Sequence, residues 1–493
     1  MDRQCVRGAA WACAALAAWA ALAGPARADE LVRAARELNG KYVAALEQLA
    51  RWCDAQGLPE QAQKTRRWVG PRDPYKLYVF VLPQQAGPAA PPADAPPPVV
   101  EWHQRFQRLR SEQAAALYEM ARRCVRVKRA ALAYELALAA GREDPDHEAV
   151  RRIFGYQKFR GEWRTAYEAR QLRAGSVWHD RFGWVPKAAV RRYEDGQRPG
   201  PKGWISAAED AKLHRDINSG WEVETEHYAI RTNHSIEAGV ALGVKLEQLH
   251  RVWQQLFVRY YATEAAVAAL FDGRPRPAAE SPRYSVVYFR DRADYNRSLR
   301  AAIPNIDISV GLYLDSMRRA YFFAGEDADD RTLYHEATHQ LFHQSRPVGP
   351  NVGRKANFWI VEGIAMFMES LRPEGDFFVL GGADDVRMEA ARVRLLRDKF
   401  YVPLADLSAY GMERVQKDPN IATLYSQMAG LTHFLIYHDD GRYRDALVAY
   451  LSAVYGGQDD PNLLAQLTGE GLAKLDEQYR EFVEKQAQPA VKP

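Results

Sequence analysis

Apolar residues recur every three or four positions near the start of the chain. Leu31, Ala34, Leu38, Tyr42, Leu46 and Leu49 mark one face of a helix, and residues 29–82 read as helical. Helical spacing returns from Val100 to about Gly141, with Ala115, Leu117, Tyr118, Ala121, Leu132, Tyr134 and Leu138. Pro145-Asp-His-Glu-Ala-Val then reads as a fresh helix start. The Ala/Tyr/Leu spacing here is weakly similar to a tetratricopeptide pair, although such arrays need several repeats. Between the helical stretches, residues 83–98 hold seven prolines among Ala, Gly and Gln, the composition of a linker.

Residues 154–220 change character. Glycine and tryptophan punctuate them at Gly161-Glu-Trp163, Phe182-Gly-Trp184 and Gly203-Trp204. The likeness of Gly161–Glu168 to Gly203–Glu209 suggests two small copies of a turn–strand–helix unit. Their tryptophans suit core filling better than ligand stacking.

From Trp221 the alternation shortens to two. Trp221–Thr225 and Tyr228–Ile230 read as strands, as does Tyr284–Phe289. Gly311–Leu314 and Ala320–Phe323 would pair as a hairpin around Asp315–Arg319. A helix follows from Asn233-His234-Ser235, carrying Leu242, Leu246, Leu249, Trp253 and Leu256 on one face. Beyond residue 330 the pattern is mostly helical to about Glu484. The expected division is therefore a leader at 1–28, a helical region at 29–153, a small Trp/Gly-rich region at 154–220, a larger α+β domain at 221–484 and a tail at 485–493.

Composition narrows the classes. The chain has 493 residues, is 47% hydrophobic and 26% charged, and carries a net charge of +4. No Lys/Arg block with interleaved aromatics occurs, so a nucleic-acid partner is not expected. Arg3 and Arg7 precede an apolar stretch at 8–24, and Ala26-Arg27-Ala28 follows, the pattern of a cleaved secretory signal. A periplasmic or extracellular location is expected, with no transmembrane span after cleavage. Of the four cysteines, Cys5 and Cys13 would leave with the leader. Cys53 and Cys124 would remain, as a disulfide or as two buried thiols.

The candidate chemistry lies at His335-Glu336-Ala-Thr-His339. Arg331–Gln344 contains neither Pro nor Gly, and Leu333, Ala337 and Leu341 give a helix a side to bury. Histidines one turn apart put two imidazoles on one face, and the glutamate between them can serve as general base. His343 would lie about 12 Å from His335 along a straight helix, too far to share its ion. Glu362 sits in a second apolar helix expected over 358–370, among Ile360, Ile364 and Phe367. A carboxylate there needs a partner: a metal, or an arginine such as Arg354. Glu369, two turns on, can orient a ligand histidine or stand as a solvated charge. Two imidazoles and a carboxylate suit one zinc ion with an open position for water, and iron as well.

His335-Glu336-x-x-His339 followed by Trp359-x-x-Glu362-Gly363-x-Ala365-x-x-x-Glu369 resembles the gluzincin (peptidase MA) clan of zinc metallopeptidases, most of all a secreted bacterial branch known as a domain of unknown function. The resemblance covers roughly Trp221–Glu484. It implies a zincin-like α+β domain with a small sheet and a helical C-terminal part. It also implies zinc on His335, His339 and Glu362, with Glu336 as base, and a tyrosine or histidine donor for the oxyanion. Tyr425 stands where that tyrosine is expected, with Tyr437, His433 and His438 as rivals. The Gly-x-Met-x-Asn strand of the related aminopeptidases is absent, and Gly311–Met317 occupies its place, which favours an endopeptidase. The hairpin at 311–323 would offer an edge to an extended peptide. A peptide or protein substrate is expected. The alternative is a non-catalytic zinc-binding or scaffold protein of the cell envelope, with the N-terminal helical region as the surface for a protein partner.

Overall fold

The structure is a computed structural model that describes residues 25–70, 72–83, 91, 93–274, 282–326 and 329–487. The expected leader at 1–28 lies almost wholly outside the described residues, as do half of the proline-rich linker and the last residues of the tail. Among the described residues no helix is long and apolar enough to cross a membrane.

The chain is α+β and divides into two compact units. One comprises residues 1–71, 85–154 and 264–274; the other comprises 72–84, 155–263 and 275–493. The Trp-rich segment thus falls in the same unit as the residues after 221, and residues 264–274 join the N-terminal helices.

The first unit contains helices Pro25–Ala55, Pro59–Trp68, Pro97–Arg126, Ala130–Glu143, Glu148–Ile153 and Glu264–Phe271. Tyr42, Leu46, Leu49, Trp102 and Phe106 build a core around Cys53. Cys53 and Cys124 are both buried, and they stand as two thiols and not as the disulfide. Burial pushes the Cys53 thiol up to about 11, which leaves it inert at neutral pH. The helix expected over 100–141 is broken at residues 127–129, where Lys128 takes a positive φ of 65°.

The second unit is built on a five-stranded sheet. Its order is Leu312–Leu314, Arg319–Phe323, Tyr284–Phe289, Tyr228–Thr232, Trp221–Glu224. The three inner strands are parallel and the two outer ones antiparallel. Side chains alternate between faces. Tyr228, Ile230, Val286, Ala320 and Phe322 enter the main core, while Val287, Phe289, Tyr321 and Phe323 close a smaller one with Tyr295 and Leu299. Burial on both faces is what parallel strands require.

Two expectations are corrected. Residues 76–80 are a strand, not part of a helical stretch over 29–82; they pair antiparallel with Phe377–Gly381, which in turn pairs with Arg372–Glu374. Apart from these two short strands, the region beyond 330 is mostly helical, as expected. The Trp-rich segment holds three hairpin–helix copies, not two: hairpins at 156–165, 176–186 and 197–206, each followed by a short helix. Trp163, Trp184 and Trp204 occupy the same place in each second strand. Trp163 is buried, whereas Trp204 is half exposed.

Candidate metal centre

The His335 helix spans Asp330–Gln344 and starts at Asp329, whose carboxylate accepts from the Arg331 amide at 3.0 Å. Leu333, Ala337 and Leu341 are buried as their spacing requires. That anchors one side of the helix and turns His335 and His339 together along the neighbouring row. The Glu362 helix, Phe358–Met368, is buried along its whole length. Asn357 enters it in a left-handed conformation, with its amide on the Ser408 carbonyl at 2.8 Å and its side chain receiving the Tyr450 hydroxyl at 2.7 Å.

The two helices bring three side chains to one point. His335 Nε2 and His339 Nε2 are 3.2 Å apart. Glu362 Oε2 lies 3.5 Å from His335 Nε2, and Oε1 lies 3.7 Å from His339 Nε2. Three ligands tetrahedrally placed around an ion at the usual bond lengths stand about 3.3 Å from one another. The donor set therefore fits a small divalent ion and can hold one. Glu362 pairs with the histidines, and the ion pair with Arg354 does not form. Burial raises the Glu362 pKa, but His335, His339 and Tyr425 outweigh it and hold the carboxyl below its ordinary value. Burial lowers both histidines. For His335 the carboxylates of Glu362 and Glu369 reverse this, whereas His339 remains below its usual value. Without an ion the pair thus shares one proton, which a metal must displace.

Glu369 sits at the end of the Glu362 helix and is buried. Its Oε1 lies 2.9 Å from His335 Nδ1. The carboxylate can only accept, so Nδ1 carries a proton, and Nε2 is the nitrogen that can offer a lone pair to the centre once its own proton is displaced. Two arginines brace Glu369. Arg387 grips both oxygens at 2.9 Å, and Arg331 adds a contact at 3.1 Å. Sequence reasoning missed both arginines: Arg331 lies one turn before His335 on the same helix, whereas Arg387 comes from the helix Val386–Arg392, which no spacing links to the motif.

Glu336 points to the other side. The Tyr313 amide on the edge strand donates to Glu336 Oε2 at 2.8 Å. The strand can approach this closely because of Gly311: a Cβ there would lie 2.7 Å from Thr332 Cγ2. Burial pushes the Glu336 carboxyl up to about 7, against the pull of His335 and the Tyr313 amide. A carboxyl in that range can both take up and release a proton near neutrality. The expected bare edge at 311–323 is thus partly used, since one of its amides serves Glu336.

The helix Ile421–Tyr437 carries Tyr425 to the centre, beside Glu362. Burial and the Glu362 charge raise its pKa, so the hydroxyl keeps its proton. The rivals lie elsewhere. Tyr437 donates to the Leu380 carbonyl at 2.6 Å, His433 is buried against Phe367, and His438 stacks on Tyr443. His343 packs between Tyr313 and Tyr455, away from the two ligand histidines. Gly363 explains how the Glu362 and Tyr425 helices meet: a Cβ there would strike Thr432 and lie 2.9 Å from the Met428 carbonyl oxygen.

No protein-family model and no curated protein matches this sequence. The reading of the site rests on its own geometry.

Proposed function

We propose that the protein is an exported zinc metallopeptidase of gluzincin type, probing peptide or protein substrates as an endopeptidase. The observation that carries this reading is the convergence of His335, His339 and Glu362 at the spacing of a tetrahedral site, with Glu336 beside them. Zinc held by His335, His339 and Glu362 would lower the pKa of a water and withdraw electrons from a peptide carbonyl.

The chain's own groups account for the proton movements. Glu336 takes a proton from the attacking water as the carbon–oxygen bond forms, then delivers it to the leaving nitrogen as the carbon–nitrogen bond breaks. The Tyr313 amide holds one oxygen of Glu336 and keeps the other directed at the reacting centre. Tyr425, still protonated, donates to the oxyanion. Glu369 and its arginines hold His335 in one tautomer throughout.

The test is hydrolysis of a peptide library by zinc-loaded protein, with Glu336→Gln as the blank. Cleavage that needs both zinc and Glu336 supports the reading. Zinc bound without any cleavage would favour a non-catalytic zinc-binding protein of the envelope, and the three tryptophan-bearing hairpins would then become the first surface to search for partners.

A further inference from the structure

The same ligand chemistry occurs a second time in this unit, on different elements. Glu247 and His250 lie three residues apart on the helix Ile236–Leu256 and share one face. His227 comes from the turn between strands Trp221–Glu224 and Tyr228–Thr232. One donor atom from each of the three lies within 4.8 Å of the other two. His227 Nδ1 is 2.7 Å from Glu247 Oε2. The His227 amide and the Thr225 hydroxyl donate to Glu247 Oε1 at 2.6 and 2.7 Å, so that carboxylate is held firmly in place. The two imidazoles stack with ring centres 3.8 Å apart. His250 also meets the rings of Tyr228 and Tyr284, and its Nε2 is 3.5 Å from Gln254 Nε2.

An ion pair alone explains only part of this. One histidine and one glutamate would make it. A second imidazole stacks on the first, and two imidazolium rings at that distance would repel each other. A second carboxylate, Glu226, half-buried and raised in pKa by that burial, lies beside His227 and Glu247, with the Thr165 hydroxyl donating to it at 2.9 Å. Two imidazoles and a carboxylate brought together from a turn and a helix are the donor set that a divalent transition metal takes, with both rings in their neutral form.

We propose that His227, Glu247 and His250 bind a second divalent transition-metal ion, of the zinc or cobalt class, with Glu226 as a supporting carboxylate. The ion ties the helix Ile236–Leu256 to the outer hairpin of the five-stranded sheet, so its role is structural. This inference is independent of the reading of the His335 centre.

The experiment counts cobalt(II) retained after stripping, reloading and dialysis of the full chain. The wild type is expected to keep two equivalents. The double variant His339→Gln/Glu362→Gln leaves the second cluster intact and is expected to keep one. Adding His250→Gln should remove it, and His227→Gln should abolish the rise in Tm that zinc gives the double variant. Zero equivalents and no zinc-dependent rise in Tm in the folded double variant would overturn the proposal and leave the cluster an ion pair. If the wild type keeps one equivalent that survives in the double variant but not in His250→Gln, this site stands and the His335 reading fails. Should the triple variant not fold, the count and the Tm response of the double variant still decide.

Discussion

Glu369 Oε1 lies 2.9 Å from His335 Nδ1, and the two arginines behind it make that contact rigid. An imidazole presents a lone pair to a metal only when its other nitrogen holds the proton. Glu369 settles that choice, and Arg387 and Arg331 supply the positive charge that keeps Glu369 ionised although buried. Burial alone would raise its carboxyl, yet His335 and Arg387 bring it down to about 2.

Glu369→Gln should therefore weaken metal binding by about 10- to 100-fold, the usual cost of losing such a partner. Arg387→Met should weaken it less, because Arg331 remains. Competition with a chelator of known affinity measures both. Unchanged affinity in Glu369→Gln would show that the contact does not orient the ligand.

Glu336→Gln should retain the metal and lose hydrolysis by at least about 100-fold, since the amide keeps the contact with Tyr313 but cannot accept a proton. Metal analysis beside peptide cleavage separates the two effects. Loss of metal together with activity would contradict the role of base.

Tyr425→Phe should lower kcat by about 100- to 1,000-fold with KM and metal content little changed, as expected of a donor used in the transition state. An unchanged kcat would reduce Tyr425 to a packing residue beside Glu362.

Gly363→Ala should destabilise the fold by about 1–3 kcal/mol, because the added methyl group meets Thr432 and the Met428 carbonyl across a packed helix pair. Thermal unfolding measures the loss. The displaced Glu362 should also bind metal more weakly, and a full-strength site in this variant would show that the helices can separate without moving the ligand.

The centre was legible in sequence to different depths. His335 and His339 follow from helical spacing, and Glu362 stands out as a carboxylate in a helix that is otherwise apolar along this face. Tyr425 came from resemblance, not from spacing. Arg331, one turn before His335 on the motif helix, had a spacing signal that was not used, whereas Arg387 left none, because ion pairs across helices have no period. The cluster of His227, Glu247 and His250 was missed for a related reason: twenty residues separate the first two, and Glu-x-x-His alone is a common helical pair. The strand at 76–80 was absorbed into a helical reading because Lys76-Leu-Tyr-Val-Phe80 is short and its pairing partner lies about three hundred residues away. In the Trp-rich segment the outer copies carry a Thr165/Glu168 and a Ser206/Glu209 capping box. The middle copy enters its helix through Pro186 and a single 3₁₀ turn, so it lacked the signal that paired the other two.

The most direct test is the metal content at the His335 centre, measured in wild type and Glu362→Ala on a His250→Gln background that removes the second cluster. The account predicts about one zinc per chain, lost on substitution of Glu362. No zinc in the folded parent after reconstitution, or zinc that survives Glu362→Ala at full affinity, would contradict it.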